Sequence, residues 1–226
     1  MVSDSNIDFE RAIQLTSKEF SHEQLISLLK NPEIADKQFA LLSLEKINTE
    51  EEGILICAHL TGCDGKIREA ASFRLNELFK IAEYATLLST PKNFETMLEG
   101  LMDINGNVCR NILDIENEEF NEFLSKAILP KTEAILNRIN ELTADEKQYI
   151  VSKRNFQLYW ALEAIYKVLD RLDFSQIEAI LVQTAQFEDY TIQEKTAKIL
   201  SRFEHARELK EELKQNSNYF VKRYLD

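Results

Sequence analysis

Three residues near position 60 have side chains suited to a metal site. Cys57, His59 and Cys63 all carry atoms that zinc accepts as ligands. On a helix, however, Cys57 and His59 point about 200° apart, and no fourth ligand follows nearby. The spacing favours small buried side chains over metal binding, so the sequence predicts no metal site.

The residues that could act as catalysts are dispersed along the chain. His22, His59 and His205 belong to different predicted helices. The sequence has no glycine-rich phosphate loop, no serine flanked by glycines and no pair of histidines at metal spacing. Its acidic runs are typical of solvated helix faces. We therefore predict no catalytic residues and no cofactor.

One aromatic and basic set stands apart from the aliphatic pattern. If Ile150 is set at zero on a helical wheel, the core stripe Leu158, Ala161, Ile165 and Leu169 falls between about 0° and 100°. A second set falls between about 240° and 300° and is predicted to bind a partner: Tyr149, Lys153, Phe156, Trp160 and Lys167. The alternative is that this face is buried against a neighbouring helix, because stacked helices have two buried faces.

The composition indicates that helices must position these residues. The chain has 226 residues, of which 44% are hydrophobic, with only five Gly and three Pro. Few helix breakers and many good helix formers favour an all-α fold with a large core.

The net charge of −12 limits the partners. A negative field repels phosphate backbones and anionic lipids, so we expect neither nucleic acid nor a membrane. No apolar run approaches the length of a membrane span, and the acidic start lacks the order of a signal peptide. Three sparse cysteines fit a reducing compartment, so we expect a cytoplasmic protein.

Helix starts are visible as capping signals. Four pairs match the capping box, in which a hydroxyl and a carboxylate or amide three residues later satisfy free backbone N–H groups: Ser21 with Gln24, Thr49 with Glu52, Thr143 with Glu146, and Ser175 with Glu178. Asn31-Pro32 and Thr90-Pro91 place a capping residue before a proline at the first helical position. These signals predict roughly ten helices joined by short turns.

The helix starts also recur at a fixed interval. Ile67, Val108, Ile150 and Ile192 are separated by 41, 42 and 42 residues. Three residues before the first, second and fourth of them stand Asp64, Asn105 and Asp189. In the connection that precedes Ile67, we interpret Gly62 as the end of one helix and Asp64-Gly65 as the start of the next. Such a period predicts stacked units of two antiparallel helices.

The stretch from Gly62 to Leu78 resembles the second half of a HEAT repeat. It has a turn aspartate (Asp64), an aliphatic-basic pair (Ile67-Arg68), a small residue (Ala71) and two leucines (Leu75, Leu78). The segments that start at Ile104 and Phe187 are similar, and the resemblance extends over about residues 30 to 203. It implies a right-handed α-α superhelix of about five helix pairs with a curved binding face. We expect a single domain with a capping unit at 1–47, repeats at 48–203 and a capping helix at 204–226.

The resemblance implies a non-catalytic scaffold that binds a protein partner. Two alternatives come from the same resemblance. Some HEAT-like solenoids are alkylpurine DNA glycosylases, which hold DNA with aromatic, acidic and basic residues in one groove. Others resemble bilin lyases, which bind a pigment or cofactor. The net charge disfavours the first alternative because phosphate contacts require lysine and arginine.

Overall fold

The computed structural model describes residues 4–142 and 148–225, with side chains from residue 10 onward. Within these ranges all regular structure is helical, with fourteen α-helices, two 3-10 helices and no strand. The predicted all-α class is confirmed, but ten helices is too low an expectation because several helices are short. Packing divides the chain into two compact units, residues 1–117 (unit 1) and residues 118–226 (unit 2). The predicted single domain with divisions at 47 and 203 stays a prediction.

Unit 1 is built from helices in two layers. Its helices are α1 (Asp4–Thr16), α2 (His22–Leu29), α3 (Ile34–Ser43), α4 (Glu50–Ala58), α5 (Gly65–Phe79), α6 (Ala82–Leu88), α7 (Pro91–Gly100) and α8 (Gly106–Leu113), with a 3-10 helix at His59–Thr61. One layer is the row α1, α3, α5 and α8, in which each helix packs against the next. The other is the row α2, α4 and α7. Fully buried side chains such as Leu41, Leu75 and Ile112 form the core of this unit.

Unit 2 repeats this arrangement of alternating layers. Its helices are α9 (Glu118–Asn140), α10 (Gln148–Lys167), α11 (Phe174–Ala185), α12 (Tyr190–Leu200), α13 (Arg207–Gln215) and α14 (Tyr219–Lys222), with a 3-10 helix at Leu169–Arg171. One row is α10, α12 and α14, and the other is α9, α11 and α13. Helices that follow one another in sequence therefore lie mostly in opposite layers.

The turn residues that mark the sequence period are helix N-caps. Asp64, Asn105 and Asp189 precede α5, α8 and α12, and each side chain accepts a hydrogen bond from a backbone N–H of the first turn. The apolar residues three positions later are buried: Ile67, Val108 and Ile192. Ile150 is half-buried near the start of α10. Thr143, Glu146 and the turn before α10 lie outside the described residues.

Two predicted helix starts are wrong by two residues. The Ser21–Gln24 box and the Thr90 cap form as predicted. Of the predicted Thr49–Glu52 box, the Thr49 cap forms, whereas the Glu52 carboxylate accepts from the backbone N–H of Asn48. However, α3 starts after Glu33, so Asn31-Pro32 stands in the preceding turn. Likewise α11 begins at Phe174, and its capping box is Asp173–Gln176 instead of Ser175–Glu178.

The two glycines around Asp64 are not required by backbone conformation. Among the described residues no glycine has a positive φ. Gly62 has φ −68° and ends the 3-10 helix, whereas Gly65 is the first residue of α5. A Cβ atom added at either position would come no closer than 3.7 Å to a neighbour. The turn is held by side-chain hydrogen bonds to its backbone instead.

Arg68 supplies several of those bonds in unit 1. Its Nη1 donates to the carbonyls of Gly62 (2.8 Å) and Cys63 (3.0 Å). Its Nε and Nη2 donate to the carboxylate of Asp103, in the turn before α8. Because neither side chain is more than 15% exposed, this pairing is shielded from water and fixes one turn against the next.

Arg74 of α5 caps the C-terminal end of α3. Its Nε donates to the carbonyl of Leu41 at 2.8 Å, and its Nη2 donates to the carbonyl of Leu42. Both carbonyls lie in the last turn of α3, where no intrahelical donor remains. Burial lowers the pKa of Arg74, but an arginine stays charged well above neutral pH.

We expect Arg74→Met to lower the free energy of unfolding by about 1–3 kcal/mol, because it leaves these carbonyls unsatisfied. Urea denaturation followed by circular dichroism measures the change. The matched control is Arg110→Met, at an exposed arginine of α8, which should change stability by less than about 0.5 kcal/mol. Equal stabilities of the two variants would contradict the capping role.

Candidate functional site

A groove crosses α3, α5 and α8 on the surface of unit 1. It has a volume of about 460 Å³ and is lined by Gln38, Leu42, Lys66, Glu69, Ala70, Phe73, Asn107 and Asn111. We call this the unit 1 groove. Because these helices pack side by side in one row, the groove runs from one helix to the next.

The apolar part of the groove is exposed to solvent. Leu42 is 47% exposed and Phe73 is 43% exposed, although both belong to helices whose opposite faces form the core. The guanidinium of Arg74 lies 5.8 Å from the centre of the Phe73 ring. The groove therefore offers an exposed apolar surface beside polar groups.

The polar part of the groove is a network of amide side chains. Asn111 donates through Nδ2 to Ser72 Oγ (3.0 Å). Asn76 donates to the carbonyl of Asn111 (2.8 Å), which ties α5 to α8. Glu69 accepts from Asn105 (2.8 Å) and Asn107 (2.9 Å), so its carboxylate is held by two neutral donors. The network fixes the orientation of the amides before anything binds.

Two groups at the edge of the groove remain available for a ligand. Neither the Lys66 ammonium nor the Gln38 amide has a hydrogen-bond or ion-pair partner in the part of the chain that the structure describes. An ammonium donates and an amide both donates and accepts. The groove can thus hydrogen-bond to donors and acceptors and can cover an apolar group.

The structure places the predicted patch of unit 2 on α10. Tyr149 is exposed, whereas Lys153, Phe156 and Lys167 are half-buried. Trp160 is only 8% exposed. The helices α9 and α12 both pack against α10. Whether these five residues bind a partner stays a prediction.

Trp160 is packed between two other rings of α10. Its ring centre lies 6.1 Å from that of Phe156 and 5.2 Å from that of Tyr159, in edge-to-face arrangements. Its indole N–H is buried and has no hydrogen-bond partner among the described residues. These contacts are those of a packed side chain.

Sequence reasoning missed a charged cluster between α10 and α12. The Lys195 ammonium pairs with Glu163 and lies 4.7 Å from the centre of the Tyr159 ring. Lys198 lies 4.0 Å from the centre of the Tyr166 ring and 3.3 Å from the same carboxylate. Burial lowers the pKa of Lys195, but the hydrogen bond and charge of Glu163 outweigh it, and the net pKa is raised. The partners are more than 30 residues apart, so local spacing could not reveal them.

The groove itself did leave a signal in the sequence. Phe73 stands six residues after Ile67, as Phe156 stands six residues after Ile150. Both fall about 240° from the start of the aliphatic stripe. The reasoning that selected Phe156 therefore also selects Phe73, two repeats of the pattern earlier.

The cysteine and histidine side chains near position 60 occupy different environments. Cys57 is buried in α4, Cys63 is exposed, and His59 is half-buried. Burial and the charge of Lys37 lower the pKa of His59. Across residues 4–142 and 148–225 no three His, Cys, Asp or Glu side chains lie close enough to hold a metal ion.

We expect a thiol reagent to label Cys63 rapidly in the folded protein and to label Cys57 and Cys109 only on unfolding. Burial raises the pKa of the Cys57 thiol, and burial together with the charge of Asp103 raises that of Cys109 to about 12, so neither forms the reactive thiolate near neutral pH. Absorbance with a disulfide reagent follows the reaction. The variant Cys63→Ser should lose the fast phase, and fast labelling that persists would contradict the buried positions.

Comparison with known proteins gives the fold and no family. No protein-family model matches the sequence, and no curated protein matches it. Two crystal structures of engineered proteins from the Northeast Structural Genomics Consortium are similar. One is 18% identical with a TM-score of 0.50, covering 92% of this chain and 96% of its own. The other is 14% identical with a TM-score of 0.43, covering 92% and 94%. The first similarity supports the all-helical fold alone.

Among residues 4–142 and 148–225, no helix is both long enough and apolar enough to cross a bilayer.

Proposed function

We propose that the chain is a non-catalytic interaction module whose unit 1 groove binds an extended segment of a partner protein. The observation that carries the proposal is the groove of about 460 Å³ in which Leu42 and Phe73 are exposed beside oriented amides. Exposed apolar side chains next to fixed polar groups are typical of protein-binding surfaces.

The chemistry of the groove suits a peptide backbone. An extended segment presents N–H donors and C=O acceptors in turn, and amide side chains can satisfy both kinds of group. One apolar side chain of the segment would pack on Leu42 and Phe73, and the oriented amides lower the entropic cost of binding. The lining of the unit 1 groove includes one lysine and one glutamate, so the groove has no excess positive charge of the kind that would attract a nucleic acid.

We further propose that the two-layer packing within each unit is that of a HEAT-like right-handed superhelix, in a cytoplasmic protein. Three recurring N-caps and the link from Arg68 to the Asp103 turn support this proposal. In such a stack each pair of helices adds surface to the same binding face.

The test begins with peptides that are selected from a random display library for binding to the full chain. We expect Phe73→Ala to weaken the selected peptides by about tenfold or more, because it removes the largest apolar contact. Fluorescence anisotropy measures the dissociation constant. The matched control is Ile104→Ala, at an exposed apolar residue of unit 1 outside the groove. Selected peptides that bind both variants as tightly as the parent chain would refute the groove as the binding site.

A further inference from the structure

Unit 2 contains a second cavity whose chemistry differs from that of the groove. It has a volume of about 550 Å³ and lies where the end of α11, the start of α12, the end of α13 and the turn before α14 meet. Its lining is Ala185, Gln186, Phe187, Glu188, Tyr190, Gln193, Glu212, Asn216 and Asn218. We call it the acidic cavity, because it has two carboxylates and its lining includes no lysine, arginine or histidine.

The acidic cavity contains several hydrogen-bond acceptors that a ligand could use. Glu188 and Glu212 form no ion pair within the described residues. Gln193 is buried and donates its amide N–H to the carbonyl of Phe187 (2.7 Å), which leaves its oxygen to accept. The amide N–H of Asn216 donates to the carbonyl of Glu212 (3.4 Å), so the amide oxygen of Asn216 is also left to accept a hydrogen bond. These acceptors favour a ligand that is rich in N–H groups.

Exposed aromatic rings continue from one wall of the acidic cavity. Tyr190 lines the cavity, and its ring centre lies 6.4 Å from that of Phe220. Tyr219 follows at 5.9 Å from Phe220. All three side chains are at least half exposed, although Val221 beside them is fully buried against the unit. A cluster of three exposed rings is unusual on a surface with no partner.

Carboxylates and aromatic faces together select a cation. A cation is attracted by the face of a tyrosine or phenylalanine ring as well as by acidic groups. A guanidinium suits this site better than an ammonium, because it stacks on a ring and has five N–H donors for separate acceptors. The net charge of −12 also draws a basic segment toward the protein.

We propose that the acidic cavity binds an arginine side chain of a basic segment in a partner protein. The guanidinium lies against Tyr190, and its N–H groups donate to Glu188, Glu212 and the oxygen of Gln193. The neighbouring rings of Phe220 and Tyr219 cover the apolar part of the bound segment. This site is in unit 2 and is separate from the unit 1 groove, so each can fail without the other.

The test uses labelled peptides that contain several arginines in a glycine and serine background. Matched peptides carry lysine or citrulline in place of arginine. Fluorescence anisotropy with the full chain should give tightest binding for arginine, weaker binding for lysine and none for citrulline, which keeps the shape of arginine without its charge. Equal binding of the citrulline peptide would overturn the proposal.

Variants separate the cavity from the general negative charge. We expect the double variant Glu188→Gln, Glu212→Gln to weaken the arginine peptide by about tenfold or more. The double variant Glu119→Gln, Glu133→Gln removes the same charge from exposed positions of α9 outside the cavity and should weaken it by less than about twofold. Equal weakening by the two pairs would show attraction by net charge only and would overturn the site.

Two further measurements keep the test independent of folding and of the groove. In the unmodified protein, nuclear magnetic resonance should show that the arginine peptide shifts the Gln193 side-chain amide and the Tyr190 backbone signals. Unchanged signals at these positions would contradict the proposal. Phe73→Ala should leave binding of the arginine peptide unchanged, whereas it should weaken the peptides selected for the groove.

Discussion

Replacement of Ala71 by aspartate is expected to lower the free energy of unfolding by at least about 3 kcal/mol. Ala71 is fully buried on α5, between Ile67 and Leu75 on the aliphatic stripe. The helix packs against both α3 and α8, and Ala71 has no exposed surface, so the new carboxylate would be buried. An unpaired buried charge must either remain at high cost or take up a proton.

Urea denaturation followed by circular dichroism measures this effect. The matched control is Ala12→Asp, at an exposed position within α1 of the same unit. It has the same loss of helix propensity, about 0.7 kcal/mol, without the burial. Similar unfolding midpoints for the two variants would show that the stripe faces solvent and would contradict the packing of α5.

The three turn residues that mark the period could be identified from the sequence because a cap is a local interaction. Asp64, Asn105 and Asp189 bond to N–H groups two or three residues away, and no distant residue is needed. The period then follows from the spacing of these caps and the buried residues behind them. The all-α class was equally accessible, because it depends on composition and on the near absence of breakers.

Failure occurred where two local signals competed. Residues 173–178 contain two overlapping capping boxes, Asp173–Gln176 and Ser175–Glu178. The first forms, and Phe174 then packs at 5.2 Å from the ring centre of Phe203 and 4.8 Å from that of His205. Contacts with residues about 30 positions away favour one start over the other, and local propensity does not contain them.

The candidate sites also depend on contacts between residues that are distant in sequence. Phe73 and Trp160 both lie on the side of their helix away from the aliphatic stripe. Phe73 is 43% exposed in the unit 1 groove, whereas Trp160 is covered. A helical wheel gives the direction of a side chain but not which helix lies in that direction. The acidic cavity was equally inaccessible, since three short helices and a turn must meet to form it.

The burial of Trp160 leads to a second large expected effect. Trp160→Ala should lower the free energy of unfolding by about 3–5 kcal/mol, because it removes a packed ring and leaves a cavity. The variant loses its edge-to-face contacts with Phe156 and Tyr159 as well. Since this is the only tryptophan of the chain, unfolding must be followed by circular dichroism and not by tryptophan fluorescence.

Trp160→Phe is the matched control for this prediction. It keeps an aromatic ring in the site and removes the buried indole N–H that has no partner among the described residues. Because leaving a buried donor unsatisfied costs about 1–3 kcal/mol, its removal offsets part of the lost packing, and the phenylalanine variant should be much more stable than the alanine variant. Binding of the peptides selected from the display library is then measured for both variants. If Trp160→Ala instead keeps the stability of the parent chain and loses a bound partner, then Trp160 belongs to a binding surface with Tyr149 and Lys153, and its role in packing is refuted.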